Sequence, residues 1–202
     1  MTERKLFAKK FKIQKYSLVE FLKYTEDKYE HFELINGRIY AMASPNVIHQ
    51  DIASFISRKL GNYLEGKKCR AFIAPLDVVL FKKDEKKSQN VFQPDVFVIC
   101  DPDKISKERI YGAPDFVAEI VSPASIDNDY NQKLGLYMEY GVKEYWIVDP
   151  ESKKIFVKIN GQDEILEYSS GDKIKVGIFD DFYIDFKELQ FNMEERQNGR
   201  KS

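Results

Sequence analysis

The sequence predicts an α/β (α+β) protein whose core runs helix, three strands, helix, strand around a mixed sheet. Three observations predict it: a long amphipathic helix followed by three apolar runs, a strand, helix and strand in close succession, and short alternating segments after Pro150. With 202 residues, 43% of them hydrophobic and 32% charged, the chain can bury one core and keep a charged surface. We expect one domain over residues 1-190, with the core at about 47-150, a β extension at 151-190 and a flexible tail at 191-202.

A short helix and a hairpin come first. Ser17 and Glu20 have the spacing of a capping box, which predicts a helix ending near Tyr24. Two apolar segments then flank Asn36-Gly37, a dipeptide that accepts the positive φ angles of a type I′ turn. The predicted hairpin strands are 30–35 and 38–43.

The core elements follow. From Val47 to Leu64 apolar residues recur every three or four positions, which predicts an amphipathic helix. The second and third apolar runs after it are hydrophobic on both faces, as expected of central strands that are covered on both sides. Gly141 marks the left-handed end of the second helix, whose crossover makes the last core strand parallel to a neighbour. The predicted strands are Cys69–Phe81, Val91–Cys100, Asp115–Val121 and Glu144–Asp149, and the second helix is Asp127–Tyr140.

Short alternating segments follow Pro150, with hairpin signals at Asn160-Gly161 and Gly171-Asp172. They predict an antiparallel extension of the core sheet, ending in a polar tail at 192–202. The predicted strands of this extension are 154–159, 164–168, 173–179 and 182–186.

The overall charge excludes little, because 32 basic and 33 acidic residues give a net charge of −1. Nucleic-acid binding would therefore have to be local. Two basic clusters could provide it or could simply be solvated surface. The first cluster is Arg4, Lys5, Lys9, Lys10, Lys12 and Lys15, and the second is Lys82, Lys83, Lys86 and Lys87.

Targeting and redox signals are weak. No apolar run approaches the ~20 residues that span a bilayer, and the polar start has no secretory signal, so we expect a cytoplasmic protein that does not enter a membrane. Cys69 and Cys100 lie in apolar stretches without a metal or pairing framework. We expect both to be reduced core residues.

Two acids interrupt the most apolar strands. A buried, ionised carboxylate at Asp95 or Glu119 would lose several kcal/mol of hydration unless it is paired or bound to a cation. If the two strands are neighbours, the carboxylates come within about 5 Å of each other, and a shared hard cation such as Mg²⁺ would offset their repulsion. The alternatives are structural: Asp95 could accept backbone hydrogen bonds, and Glu119 could pair with a lysine.

A lysine also lies on an apolar helix face. Lys133 shares the inward side of the second helix with Leu136, Tyr137 and Tyr140. It could pair with Asp129 within the helix, or it could reach the pocket beside the two acids and act on an attacking water or an anionic transition state.

These residues carry a family resemblance. The sequence resembles the Uma family (Uma-two) of bacterial proteins, which is similar to the PD-(D/E)XK nuclease superfamily and has a restriction-endonuclease-like fold. The likeness begins at Phe32 and extends to about Phe186. The segments that carry it are FELINGRIYAMASPNVIHQ, QPDVFVI, GAPDFVAEIVSPAS and DNDYNQKLGLYMEYGVKEYWIVDP.

The resemblance implies that Asp95 and Glu119 are metal-binding acids, that Glu33 is an early helper glutamate and that His49 is an auxiliary residue. From the residues alone, Glu33 reads as a solvent-side hairpin residue and His49 as a helix-edge or core histidine. The sequence departs from the superfamily at Val121, where a lysine is expected two residues after the second acid. Lys133 could supply that lysine from the following helix.

We therefore expect a Mg²⁺- or Mn²⁺-dependent endonuclease that hydrolyses DNA phosphodiester bonds and forms a homodimer. The alternative, favoured by Val121 and the near-neutral charge, is an inactive restriction-endonuclease-fold interaction module, also dimeric. RNA or a small phosphorylated molecule is a third possible substrate, because a fold does not fix a substrate.

Overall fold

A computed structural model describes residues 15–81, 90–121 and 132–189, and within them it has the predicted mixed α+β architecture. The α-helices of these ranges are α1 (Leu18–Thr25), α2 (Val47–Leu64) and α3 (Leu134–Tyr140), with 3₁₀ helices at Pro102–Lys104 and Phe186–Glu188. The strands are β1 (Phe32–Ile35), β2 (Arg38–Ala41), β3 (Arg70–Ile73), β4 (Val78–Leu80), β5 (Asn90–Phe92), β6 (Val96–Ile99), β7 (Ile110–Tyr111), β8 (Phe116–Ile120), β9 (Glu144–Asp149), β10 (Lys154–Ile159), β11 (Ile165–Ser169), β12 (Lys173–Lys175) and β13 (Tyr183–Asp185).

The strands form two large sheets and one small one. The larger sheet has the order β11-β10-β9-β8-β6-β3, the second has the order β2-β1-β5-β4-β7, and β12 pairs with β13. The central β8 runs parallel to β9, which confirms the predicted crossover, and antiparallel to β6. The core therefore has the expected order of helix, strands, helix and strand.

Local signals in the sequence account for several boundaries. The Ser17 and Glu20 side chains form the predicted capping box of α1. Asn36 and Gly37 have φ angles of 51° and 80°, which confirms the tight turn between β1 and β2. Asn46 begins α2 by accepting the His49 backbone N–H at 2.9 Å, so the predicted helix starts and ends where its periodicity does.

The larger sheet is covered on both faces. One face packs against α2 and the C-terminal segments, with Phe116 and Trp146 near its centre. The other packs against α3 and the smaller sheet, through residues such as Phe97, Val117 and Tyr137. Every residue of β6, β8 and β9 is buried, as the apolar runs predicted. Polar side chains between the two sheets are consequently removed from water.

Two of the four predicted core strands are wrong as single elements. The 69–81 run divides into β3 and β4, and the 91–100 run divides into β5 and β6, with each pair split between the two sheets. Pro75 and Pro94 lie between the halves, and a proline cannot donate a hydrogen bond to a sheet ladder. The short β7, which pairs in parallel with β4, was not predicted.

The cysteine prediction is also wrong. Cys69 and Cys100 are joined in a disulfide and are partly buried at one side of the sheet. They meet because antiparallel β3 and β6 pair Arg70 with Ile99, which places the two cysteines opposite each other one residue further along. A separation of 31 residues gave no sign of that pairing.

The C-terminal extension is antiparallel but only half of it joins the core. Strands β10 and β11 continue the larger sheet from β9, whereas β12 and β13 pair with each other alone. Gly141 has the predicted left-handed conformation at the end of α3. The first part of the predicted second helix and the tail lie outside the described residues. Within the described ranges, no helix combines the length and the hydropathy needed to cross a bilayer.

Candidate active site

Two predicted acids meet between adjacent strands. The pairing of Val96 with Ala118 places Asp95 opposite Glu119 one residue further along. The Asp95 backbone N–H donates to Glu119 Oε2 at 3.2 Å, and the Ile120 backbone N–H donates to Asp95 Oδ2 at 2.7 Å. Asp95 thus accepts a backbone hydrogen bond, which is the alternative to metal binding that the sequence left open. It does so beside the Glu119 carboxylate.

A third acid reaches the same place from the smaller sheet. Glu33 lies in β1 and is buried, so the residue-only expectation of a solvent-side position is wrong. Its Oε1 accepts the Gln93 backbone N–H at 3.1 Å and faces the ammonium of Lys133 at 3.0 Å. The sequence alone suggested that this side of the hairpin faces solvent, but the larger sheet covers that side.

Lys133 connects the two sheets. Its Nζ lies 3.0 Å from Glu33 Oε1 and 3.2 Å from Glu119 Oε1. Lys133 therefore reaches the pocket beside the acids, which is one of the two positions that the helix pattern allowed. The contact is also the lysine pairing that was the alternative to metal binding for Glu119. Asp129, the other proposed partner of Lys133, lies outside the described residues. Buried carboxylates and an ammonium at hydrogen-bond distance offset one another's loss of hydration.

His49 approaches the site from the first turn of α2. Its Nε2 lies 3.1 Å from Asp95 Oδ2. Its Nδ1 is buried and has no hydrogen-bond partner among the described residues. The histidine therefore contacts the site acid rather than packing as a purely apolar edge residue.

Tyr137 belongs to the site, although sequence reasoning placed it only on the apolar face of the helix. Its hydroxyl donates to Glu119 Oε1 at 3.0 Å. Burial raises the pKa of the Tyr137 hydroxyl well above its ordinary value, and the nearby charges of Glu119 and Glu33 raise it further. The phenol consequently remains a neutral donor. The available signal was its position one helical turn after Lys133, on the same face.

A polar row beside Glu33 was also missed. Gln93 Nε2 donates to Asp77 Oδ1 at 2.8 Å, and Arg109 Nε lies 3.8 Å from Asp77 Oδ2. These residues adjoin β5, β4 and β7 at one end of the smaller sheet. The row holds Gln93 in place, and the Gln93 backbone in turn holds Glu33. It could not be found without knowing that the apolar runs split at the prolines.

Val121 confirms the departure from the superfamily pattern. It is buried, and its backbone N–H donates to Val148 O at 3.0 Å, so that position carries no charge into the site. The ammonium comes from Lys133 instead. Of the basic clusters, Lys15 is exposed, and the remaining members lie outside the described residues.

The donor set fits a hard divalent cation. Carboxylate oxygens of Glu33 and Glu119 face the Lys133 ammonium, and Asp95 lies opposite Glu119 on the adjacent strand. Oxygen ligands of this kind suit Mg²⁺ or Mn²⁺. In the part of the chain that the structure describes, no three His, Cys, Asp or Glu side chains are close enough together to enclose a metal ion. The chemistry of the ligands is present, whereas their closure around an ion is not.

Comparison with known proteins identifies the family and the fold. A sequence model of the Uma2 family, described as "Putative restriction endonuclease", matches residues 18–182. A crystal structure from Anabaena variabilis ATCC 29413, titled a putative nuclease belonging to DUF820, superposes with a TM-score of 0.71 at 21% identity, over 86% of this chain and 96% of that one. That likeness shows a shared fold.

Two proteins of Synechocystis are also similar to this chain. The uncharacterised protein slr1290 is 28% identical over 166 residues, covering 80% of this chain and 85% of its own length. The uncharacterised protein sll1609 is 26% identical over 133 residues, covering 64% and 72%. Since the family match spans most of its length, this chain belongs to the Uma2 family, described as putative restriction endonucleases.

Proposed function

We propose that this protein is a metal-dependent endonuclease that hydrolyses phosphodiester bonds in DNA. The observation that carries the proposal is the convergence of three acids and a lysine from separate elements at one buried point. Lys133 Nζ lies within 3.2 Å of both Glu33 and Glu119, and Glu119 in turn contacts Asp95. The family description adds the reaction class, and the choice of DNA rests on that description.

Mg²⁺ or Mn²⁺, held by Asp95 and Glu119 with Glu33 beside them, would polarise the scissile phosphate and activate water. The protein's own groups have separate tasks. Tyr137 and the Asp95 backbone N–H each hold one oxygen of Glu119, which fixes the direction of that carboxylate. Lys133 supplies the positive charge that orients the attacking water or stabilises the negative charge of the transition state.

His49 is proposed as a positioning residue. Its contact with Asp95 Oδ2, together with the Ile120 backbone N–H, fixes one oxygen of that carboxylate. The start of α2 thereby sets the orientation of a metal ligand. This is a role for an auxiliary histidine that needs no direct contact with DNA.

DNA binding would have to be local, since the net charge is −1. Each phosphate contact made by a lysine or arginine releases counterions, so such binding weakens steeply as salt increases. We propose the lysines at 82, 83, 86 and 87 as phosphate contacts and a homodimer as the working assembly. The lysine contacts predict DNA retention at low salt that is lost at high salt.

One observation favours the second candidate, a non-catalytic interaction module. The four polar residues at the centre of the site are 3% to 9% exposed: Glu33 5%, Asp95 9%, Glu119 3% and Lys133 6%. Groups so well enclosed and paired could serve stability alone. Catalysis requires that DNA and a cation reach them.

The experiment is a nicking assay on supercoiled plasmid with the purified protein in Mg²⁺, in Mn²⁺ and in chelator. Lys143→Met serves as a matched control, because its ammonium pairs with a different acid: Lys143 Nζ lies 2.7 Å from Asp115 Oδ1. The proposal predicts nicking by wild type and by the control in either metal, and none in chelator. Intact plasmid under all conditions, from folded protein, would favour the interaction module.

A further inference from the structure

The position of Lys133 bears on how the proposed nuclease site is regulated. Its ammonium lies between carboxylates of two different sheets, 3.0 Å from Glu33 and 3.2 Å from Glu119. It is 6% exposed, so little water can replace these contacts. A buried ammonium between two carboxylates has the same electrostatic role as a bound cation.

The oxygens that face Lys133 already accept other hydrogen bonds. Glu119 Oε1 also accepts the Tyr137 hydroxyl, and Glu33 Oε1 also accepts the Gln93 backbone N–H. Each of these oxygens therefore has two donors. A carboxylate oxygen that binds an ion directly must give up at least part of such a set.

We propose that Lys133 is the built-in cation of the metal-free site and that it competes with the divalent cation for Glu33 and Glu119. This inference rests on the proposed function, because it assumes that Glu119 binds the metal and that Glu33 lies beside it. It accounts for the observation that the described acids are not grouped closely enough to hold a metal ion, since an ammonium group lies between two of them.

The competition has a consequence for the chemistry. While Lys133 is paired with both acids, its charge is directed at protein carboxylates and not at a substrate. With a divalent cation bound to those acids, Lys133 would turn its charge from them towards a substrate phosphate. Lys133 would therefore act on the substrate only in the metal-loaded protein.

The test measures metal binding without DNA. Mn²⁺ is titrated calorimetrically into metal-free wild type, Lys133→Met, Lys133→Arg and the control Lys143→Met. Removing the competing charge should tighten Mn²⁺ binding by about tenfold or more in Lys133→Met, since a neighbouring positive charge opposes a divalent cation strongly in a buried site. Lys133→Arg and Lys143→Met keep the competing charge and should not bind Mn²⁺ more tightly than wild type.

Lys133→Met leaves two buried carboxylates without their ammonium, so its metal-free form should unfold at a lower temperature than wild type. Mn²⁺ should raise the unfolding temperature of this variant by more than it raises that of wild type. If that variant does not fold, Lys133→Gln keeps a hydrogen-bond donor without the charge and is used in its place. Equal or weaker Mn²⁺ binding by the neutral variant, or no binding by any variant, would overturn the competition.

The outcome is separable from that of the proposed function. Tighter Mn²⁺ binding in the neutral variant, with no plasmid nicking by wild type, would support the competition and reject the nuclease. Nicking by wild type with unchanged Mn²⁺ binding in the neutral variant would do the opposite.

Discussion

Asp95 and Glu119 are bound to each other through the main chain as well as through their shared position between strands. The Asp95 N–H donates to Glu119 Oε2 at 3.2 Å, and Asp95 Oδ2 accepts the N–H of Ile120, the residue after Glu119. Each acid is therefore oriented by the strand that carries the other. Two like charges held this way repel, and the proposed divalent cation would offset that repulsion.

Replacing Asp95 with asparagine should separate charge from shape. The amide has the same size and can still accept the Ile120 N–H, so the free energy of unfolding should change by no more than about 2 kcal/mol. The loss of a metal-binding charge should lower the nicking rate by about a hundredfold or more. Plasmid nicking and urea denaturation of the same preparation check both. A folded Asp95→Asn with wild-type nicking would remove Asp95 from the mechanism.

Tyr137→Phe tests whether the orientation of Glu119 matters. The change removes one buried hydrogen bond, so we expect a loss of about 1 kcal/mol in stability and a slower nicking reaction. Tyr140→Phe is the matched control, since the Tyr140 hydroxyl accepts from Asn90 Nδ2 at 2.8 Å and lies on the same helix. It should lose similar stability and keep its activity. Equal effects of the two variants on nicking would mean that Tyr137 acts through stability alone.

A buried acid outside the site predicts a pH dependence of stability. Burial raises the pKa of Glu144 above its ordinary value of 4.5, although Trp146 and the backbone N–H of Ile178 donate to it. The folded protein therefore holds a proton that the unfolded chain releases. The stabilisation from this group is complete below the ordinary value and is lost as the pH rises through the folded value.

Glu144→Gln lacks this titration and provides the comparison. The free-energy advantage of wild type over the variant should be largest at about pH 4 and should shrink as the pH rises towards neutrality. Urea denaturation of both proteins across this range measures the difference. A gap that stays constant or widens with pH would show that burial does not raise the pKa of Glu144.

Alanine should have opposite effects on stability at two glycines, one in the hairpin that carries Glu33 and one in α2. Gly37 has a φ of +80°, and an added Cβ would lie 3.1 Å from the Lys15 Cβ, so Gly37→Ala should destabilise the protein by about 1 to 2 kcal/mol. Gly61 lies in α2 with no atom within 4 Å of an added Cβ, so Gly61→Ala should stabilise by up to about 1 kcal/mol. Thermal denaturation of the two variants decides the matter. Destabilisation of equal size at both sites would contradict the account of the turn.

The sequence was sufficient for elements whose signals are local. The apolar period of α2, the Asn36-Gly37 turn and the left-handed Gly141 each specify a conformation within a few residues, and all three are confirmed. The parallel pairing of β8 with β9 followed from the crossover between them. Conformations that depend on residues close together in the sequence can be predicted without a structure.

Pairing between residues far apart in the sequence could not be predicted in the same way. Periodicity could not show that Pro75 and Pro94 send each apolar run into two sheets, and so it missed the disulfide between Cys69 and Cys100. The same limit applied to Glu33. Its burial depends on a second sheet covering the hairpin, and only the family resemblance pointed to it.

The central claim is that one carboxylate serves both metal binding and DNA cleavage, and Glu119→Gln tests it most directly. Mn²⁺ is titrated into wild type and the variant, and the same samples are then incubated with supercoiled plasmid. We predict that wild type binds Mn²⁺ and nicks the plasmid, and that the folded variant loses both properties together. Nicking by Glu119→Gln at the wild-type rate would contradict the account, because the cleavage would then arise from another site.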